Sequence, residues 1–146
     1  MGEPIIVETS QPSGLNVVGE TIKVLASGEQ TGSYEIFHQS GPEGSGPPPH
    51  FHPWDEAFFV TEGEVEFGVG ERTATARAGT LVHVPAGAMH WFRIGPGGGA
   101  MLSVTSRAGA AAMFTQFDAE IAPEKPDLPR LVEIAARHGA TIRPPS

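Results

Sequence analysis

The sequence contains no cysteine. That absence removes disulfide staples, thiolate metal sites and cysteine nucleophiles together, so a metal, if bound, must be held by histidine and carboxylate. Basic residues are also scarce: nine Lys and Arg against seventeen Asp and Glu give a net charge of −8. Nucleic-acid binding needs a basic footprint, and these few cations are scattered, so neither a nucleic-acid partner nor an anionic membrane surface is expected. No stretch approaches the ~20 apolar residues of a membrane span. The N-terminus, MGEPIIVETSQPSG, lacks a basic segment followed by a long apolar run, which argues against a secretory signal. Ile6 also stands where a myristoylation signal requires Ser or Thr. With no disulfides to form, a soluble cytoplasmic protein is the expectation.

What is present suits one compact domain spanning residues 1–146, a length sufficient to bury a real core. Hydrophobic residues at 39% and charged residues at 18% are globular rather than disordered proportions. The 19 Gly and 14 Pro are dispersed without a period, as befits many short strands joined by turns. The first fourteen residues read as an extended arm. Alternating or β-branched runs then predict strands over 21–26, 33–40, 57–60, 64–69, 73–77, 80–84, 90–94 and 100–106, with residues 85–87 and 95–99 as breakers. The tail departs from this pattern. Asp127 as N-cap, Pro129 in the first turn and Gly139 at the end predict a helix, with Leu128, Leu131, Val132 and Ala135 as its apolar stripe. The expected fold is therefore an all-β barrel over about residues 20–107, followed by a helical tail over about 110–146.

The chemistry concentrates in two segments. His50 and His52 are two apart, so in extended chain both side chains project to one face; Glu56 follows at another even offset, although Pro53 interrupts regular pairing. Phe58 and Val60 continue that face. The second segment is a strand, a turn at Pro85-Ala86-Gly87, and His90 opening the next strand. Should the fold bring the two segments together, three imidazoles and a carboxylate meet. Such a donor set suits one divalent Mn, Fe, Co, Ni, Cu or Zn ion, with positions left open for water or substrate. Other candidates have plainer roles. His38 and His83 read as packed or surface histidines, and His138 as a favourable charge near a helix C-terminus. Residues 68–73 lack the third glycine of a dinucleotide fingerprint and read as a hairpin turn.

The spacing Gly44-x5-His50-x-His52-x3-Glu56-x6-Gly63, followed after fifteen residues by Gly79-x5-Pro85-x-Gly87-x2-His90, resembles the paired motifs of the cupin superfamily at every position named. The second motif of that family ends on Asn four residues beyond the histidine, where this chain has Ile94. The helical tail is similar to that of small single-domain cupins of the quercetin-dioxygenase-like kind. The resemblance implies a jelly-roll β-barrel with a C-terminal α-helix, His50, His52, Glu56 and His90 as metal ligands, and a homodimer, with Phe51 and Phe59 available for a packed outer face. It further implies a metal-dependent oxidoreductase, dioxygenase-like, acting on a small hydroxy-keto or aromatic molecule, with Glu56 alternating between ligand and proton acceptor. The side chains expected to line the substrate are Trp54, Phe58, Val60 and Phe92. A non-redox isomerase, cyclase or decarboxylase would use the same residues, and a non-catalytic small-molecule-binding module is a third reading.

Overall fold

The computed structural model describes residues 2–106 and 109–143. In chain order these form β1 (Leu15–Val17), β2 (Glu20–Ala26), the single-turn α1 (Gly28–Thr31), β3 (Glu35–Gly41), β4 (His50–Phe51), β5 (Glu56–Val69), β6 (Arg72–Arg77), β7 (Leu81–Val84), β8 (His90–Thr105), α2 (Ala110–Glu120), α3 (Leu128–Arg137) and β9 (Thr141–Ile142). Every strand pairing is antiparallel.

Two long strands shared between two leaves make the curled sheet. The C-terminal half of β8 pairs with β3 and with the first half of β5, which also pairs with β7; β1 and β2 extend this leaf beyond β3. The N-terminal half of β8 pairs with the second half of β5, with β6 beyond it, while His50 of β4 lies opposite His90 and β9 lies outside β4. The crossing point is a bulge. Gly63 stands opposite Gly99 but Val65 opposite Ile94, so residues 95–98 are extruded against Glu64 alone. Gly63 takes φ +71, and a Cβ there would come within 2.3 Å of the Gly98 carbonyl oxygen, so only glycine fits.

This corrects the expectation that residues 95–99 break the chain. The expected strands 57–60 and 64–69 are one strand, as are 90–94 and 100–106, because pairing on both sides of the glycines keeps them within the sheet. The hairpin at Gly70-Glu71 between β5 and β6 is where the sequence places it.

Two apolar clusters fill the molecule. One lies within the barrel around Phe58, Phe67 and Phe92, whose ring centroids are 5.3–5.8 Å apart, with Val60, Val65, Ile94 and Met101 around them. The other joins Val17, Ile22 and Phe37 of the strands and Trp54 of the turn between β4 and β5 to Met113 and Phe117 of α2 and to Leu131 and Ile134 of α3. The helices thus cover one side of the sheet.

α3 begins as expected, with the Asp127 carboxylate accepting from the Arg130 N–H at 3.1 Å, but its buried stripe is Leu131, Ile134 and Ala135. Leu128 is exposed and Val132 only half-buried. The tail also holds a second helix, α2, and a short returning strand, β9, beyond the single helix anticipated. β9 sets Ile142 opposite His50, and Arg143 N–H donates to Pro49 O at 2.8 Å. The tail therefore braces the segment that carries the first two histidines. Among the described residues no helix is long and apolar enough to cross a membrane.

Candidate metal centre

β4 and β8 bring His50 and His90 together as cross-strand partners, their rings 4.1 Å apart between centroids. Directly opposed residues on one sheet face are the natural way to converge two side chains. Glu56 opens β5 and faces inward with Phe58 and Val60. His52 sits in the turn between β4 and β5, where Trp54 stacks on it with centroids 4.3 Å apart and planes 6° from parallel. The two motifs are tied through backbone: Gly87 N–H donates to His52 O at 2.9 Å, and Ala86 N–H to the Asp55 carboxylate at 2.9 Å. Gly46, in the loop before β4, approaches the Phe92 carbonyl so closely that a Cβ would lie 2.0 Å from it. Glycine at this position, inside the first motif but not one of its fixed residues, lets the histidine-bearing loop lie against β8.

The orientation of the rings carries the chemistry. In each of the three histidines Nδ1 lies against a backbone carbonyl: Pro48 O for His50 at 2.9 Å, Trp54 O for His52 at 3.0 Å, and Ala88 O for His90 at 2.9 Å. A carbonyl only accepts, so the proton belongs on Nδ1 and each neutral ring presents Nε2 as a bare lone pair. One ligand atom from each histidine lies within 4.8 Å of the others. Glu56 Oε1 stands 3.1 Å from His52 Nε2 and 3.5 Å from His90 Nε2. His90 Nε2 is fully buried with no hydrogen-bond partner. Lone pairs converging at such distances repel unless a cation lies among them. Ligand atoms each about 2.1 Å from one ion, at right angles, are about 3 Å apart, close to the spacing of Glu56 Oε1 from His52 Nε2 and His90 Nε2.

The electrostatics agree with that donor set. Burial, then the neighbouring His90, pushes His50 down to about 3, so its ring is neutral. Burial alone would raise Glu56, but the close approach of His52 and His90 outweighs it and holds the carboxyl at about 2. A neutral imidazole and an ionised carboxylate are the forms that bind metal.

Beside the centre is a cavity of about 80 Å³, lined by Trp54, Phe58 and Phe92 of the anticipated residues and closed by side chains of α2, α3 and β9. Val60 does not line it. Though on the same strand face as Phe58, Val60 is fully buried in the neighbouring apolar cluster around Met101, one pleat too deep in the barrel. Ile94 is likewise buried there, and its backbone pairs with Ser45, so an apolar residue at that position packs without disturbing the site. His83 is exposed, His38 is half-buried opposite Lys23 and Leu102, and His138 Nε2 lies 2.8 Å from Gln116 Oε1 on α2.

Two polar residues of the cavity went unread in the sequence. Gln39 of β3 donates to Ser103 Oγ at 2.8 Å, both side chains being buried. Glu20, the first residue of β2, is 4% exposed and lines the cavity. It follows a two-residue turn in which Val18 and Gly19 both take positive φ, 49° and 94°. Glu20 and Ile22 share the inward face of β2, and that alternation after a glycine turn was the available signal. Burial, then the charge of Glu56, raises the Glu20 carboxyl to about 8.

Residues 37–105 match the cupin domain family. No curated protein matches the sequence. Among solved structures, the chain is similar to an RmlC-like cupin from Shewanella frigidimarina, with TM-score 0.66 and 20% identity over 73% of this chain and 93% of that one. It is also similar to KdgF from a Halomonas species, with TM-score 0.64 and 18% identity over 73% and 94% of the two chains. The polyketide cyclase RemF from Streptomyces resistomycificus matches with TM-score 0.63 and 21% identity over 71% and 80%. At these identities the likeness concerns the fold.

Proposed function

Because residues 37–105 match the cupin domain family and the fold is that of solved cupins, we propose that the chain is a metal-dependent enzyme acting on a small oxygenated organic molecule, with His50, His52, Glu56 and His90 holding one divalent transition metal ion. The observation that carries this reading is the convergence of bare lone pairs, above all the buried, partnerless Nε2 of His90. When bound, the metal would supply Lewis acidity toward a substrate oxygen and, as iron, manganese, nickel or copper, redox chemistry.

The chain's own residues do the rest. Backbone carbonyls fix each histidine's tautomer, and Trp54 locks the plane of His52. Glu56, which lines the cavity, would accept the proton of a substrate hydroxyl made acidic at the centre. Phe58, Phe92 and the helices exclude water and favour an apolar or aromatic substrate body.

The leading reaction class is dioxygenase-type oxidation of a hydroxy-keto or aromatic compound. Oxygen uptake by metal-loaded protein with flavonols and diketones tests it: uptake with one of iron, manganese, nickel or copper supports the class, and none with any of them removes it. Turnover by zinc-loaded protein under strict anaerobiosis assigns the site instead to isomerisation, cyclisation or decarboxylation. The assembly proposed is a homodimer. Phe59 and Leu81 are cross-strand partners and Val104 lies one strand away, all exposed on the outer sheet face, an apolar patch that a second copy would cover. A monomeric solution mass contradicts the dimer.

A further inference from the structure

Buried polar atoms that lack partners are uncommon in folded proteins, and each calls for an explanation. Only two such side-chain atoms occur among the described residues: Nε2 of His90, accounted for by a metal, and Oε1 of Glu20. Glu20 is no part of the paired histidine motifs and stands on β2, remote in sequence from them. It lines the same cavity as His50, His52 and Glu56. Around these polar groups the wall is apolar, with Val17, Ile22, Phe117, Leu131 and Ile142 among its residues. A cavity with an apolar wall and few convergent polar groups is the form of a small-molecule site.

We propose that Glu20 is the second anchor of this cavity: its carboxyl group hydrogen-bonds an oxygen of an apolar organic ligand whose first, anionic oxygen is held at the centre of His50, His52, Glu56 and His90. The inference rests on the metal reading above and sharpens it, since it requires the substrate to carry a second oxygen function that reaches Glu20. Burial, the larger cause of its raised carboxyl, favours the protonated form of Glu20, which can donate as well as accept. A carbonyl or ether oxygen then suffices as partner. The cavity of about 80 Å³ exceeds the roughly 10–15 Å³ a water requires, so a ligand oxygen has room beside Glu20. A ligand lacking that oxygen would leave the carboxyl unpaired, which is how buried polar groups reject the wrong substrate.

The test uses full-length, zinc-loaded wild-type protein with Glu20→Gln and Glu20→Leu. Glu20→Gln keeps a donor, whereas Glu20→Leu keeps the volume and removes every polar atom. The probes are phenol, which carries only the metal-binding oxygen, and the 2-, 3- and 4-hydroxyacetophenones, which add a carbonyl at three different reaches. Zinc content is measured on each sample and affinity by calorimetry. At least one isomer should bind Glu20→Leu roughly five- to tenfold more weakly than wild type. Glu20→Gln should retain most of that affinity, and phenol should bind all three proteins alike. Full zinc content with no isomer-specific loss overturns the role of Glu20 and leaves the metal reading standing. Equal loss of phenol and every isomer also overturns it, because the effect is then on the site as a whole. Wild-type protein that holds no zinc defeats both proposals.

Discussion

Glu35 and Glu20 stand on neighbouring strands, β3 and β2, and both carboxyl groups are buried. Glu35 is fully engaged. Its Oε2 accepts from Gly28 N–H at 2.9 Å, and its Oε1 accepts from Ala111 N–H at 3.0 Å and Gly109 N–H at 3.3 Å. It thereby binds the first turn of α2 to the sheet and places negative charge at that helix's N-terminus. Glu20 has an oxygen with nothing to accept from or donate to. Equal burial with opposite satisfaction separates a group that holds the fold together from one that waits for something the fold does not supply.

Removing the engaged carboxylate should cost most. Glu35→Ala strands three backbone N–H groups at once and should lower stability by about 4 kcal/mol, read by urea denaturation of the metal-free protein. A loss below about 1 kcal/mol would erase the contrast.

Removing the unengaged one should do the reverse. Because Glu20 is raised from 4.5 to about 8, the folded protein keeps a proton there that the unfolded chain releases. Its penalty is absent below about 4.5, grows as pH climbs, and is complete above about 8. Glu20→Gln removes that penalty, so metal-free variant and wild type should match near pH 4.5 and differ by about 3 kcal/mol at neutral pH, the variant being the more stable. A pH-independent difference would show that Glu20 is not buried as described. His50 slopes the other way. Lowered from 6.5 to about 3, it refuses a proton the unfolded chain accepts, so stability falls as pH drops from about 6.5 towards 3. Between about pH 6.5 and 4.5 that acid limb should persist in Glu20→Gln and vanish in His50→Ala, whereas the loss below about 4.5, where Glu56 begins to be protonated, should remain in both. The smallest effect belongs to a local cap: Asp127→Ala should cost about 1 kcal/mol in the same denaturation series and leave both buried glutamates untouched.

The same contrast explains what could be read in advance. The grouping of His50, His52 and Glu56 was suggested by local spacing, although His52 lies in a turn that strand parity does not reach, and the start of α3 was legible because Asp127, Pro129 and Gly139 mark it within thirteen residues. α2 was not. Its N-cap is Gly109, which has no capping side chain, and its first turn is held by a carboxylate more than seventy residues earlier in the chain. The glycines at 95–99 carry a local turn signal, but pairing with β3 and β5 overrides it. Val60 was assigned to the cavity from parity alone, which fixes the face a side chain takes and not its depth. Glu20 at the head of a strand passes for a solvated side chain until Met113, Phe117 and Leu131 are known to lie across that side of the sheet.

Most directly, the central claim is tested by the metal content of wild-type protein and His90→Ala, prepared side by side and measured by elemental analysis, with circular dichroism confirming that both are folded. One equivalent of a divalent transition metal in the wild type, lost in the variant, is the expected result. Equal metal in the two folded proteins, or none in the wild type after exposure to the ions named, would contradict it.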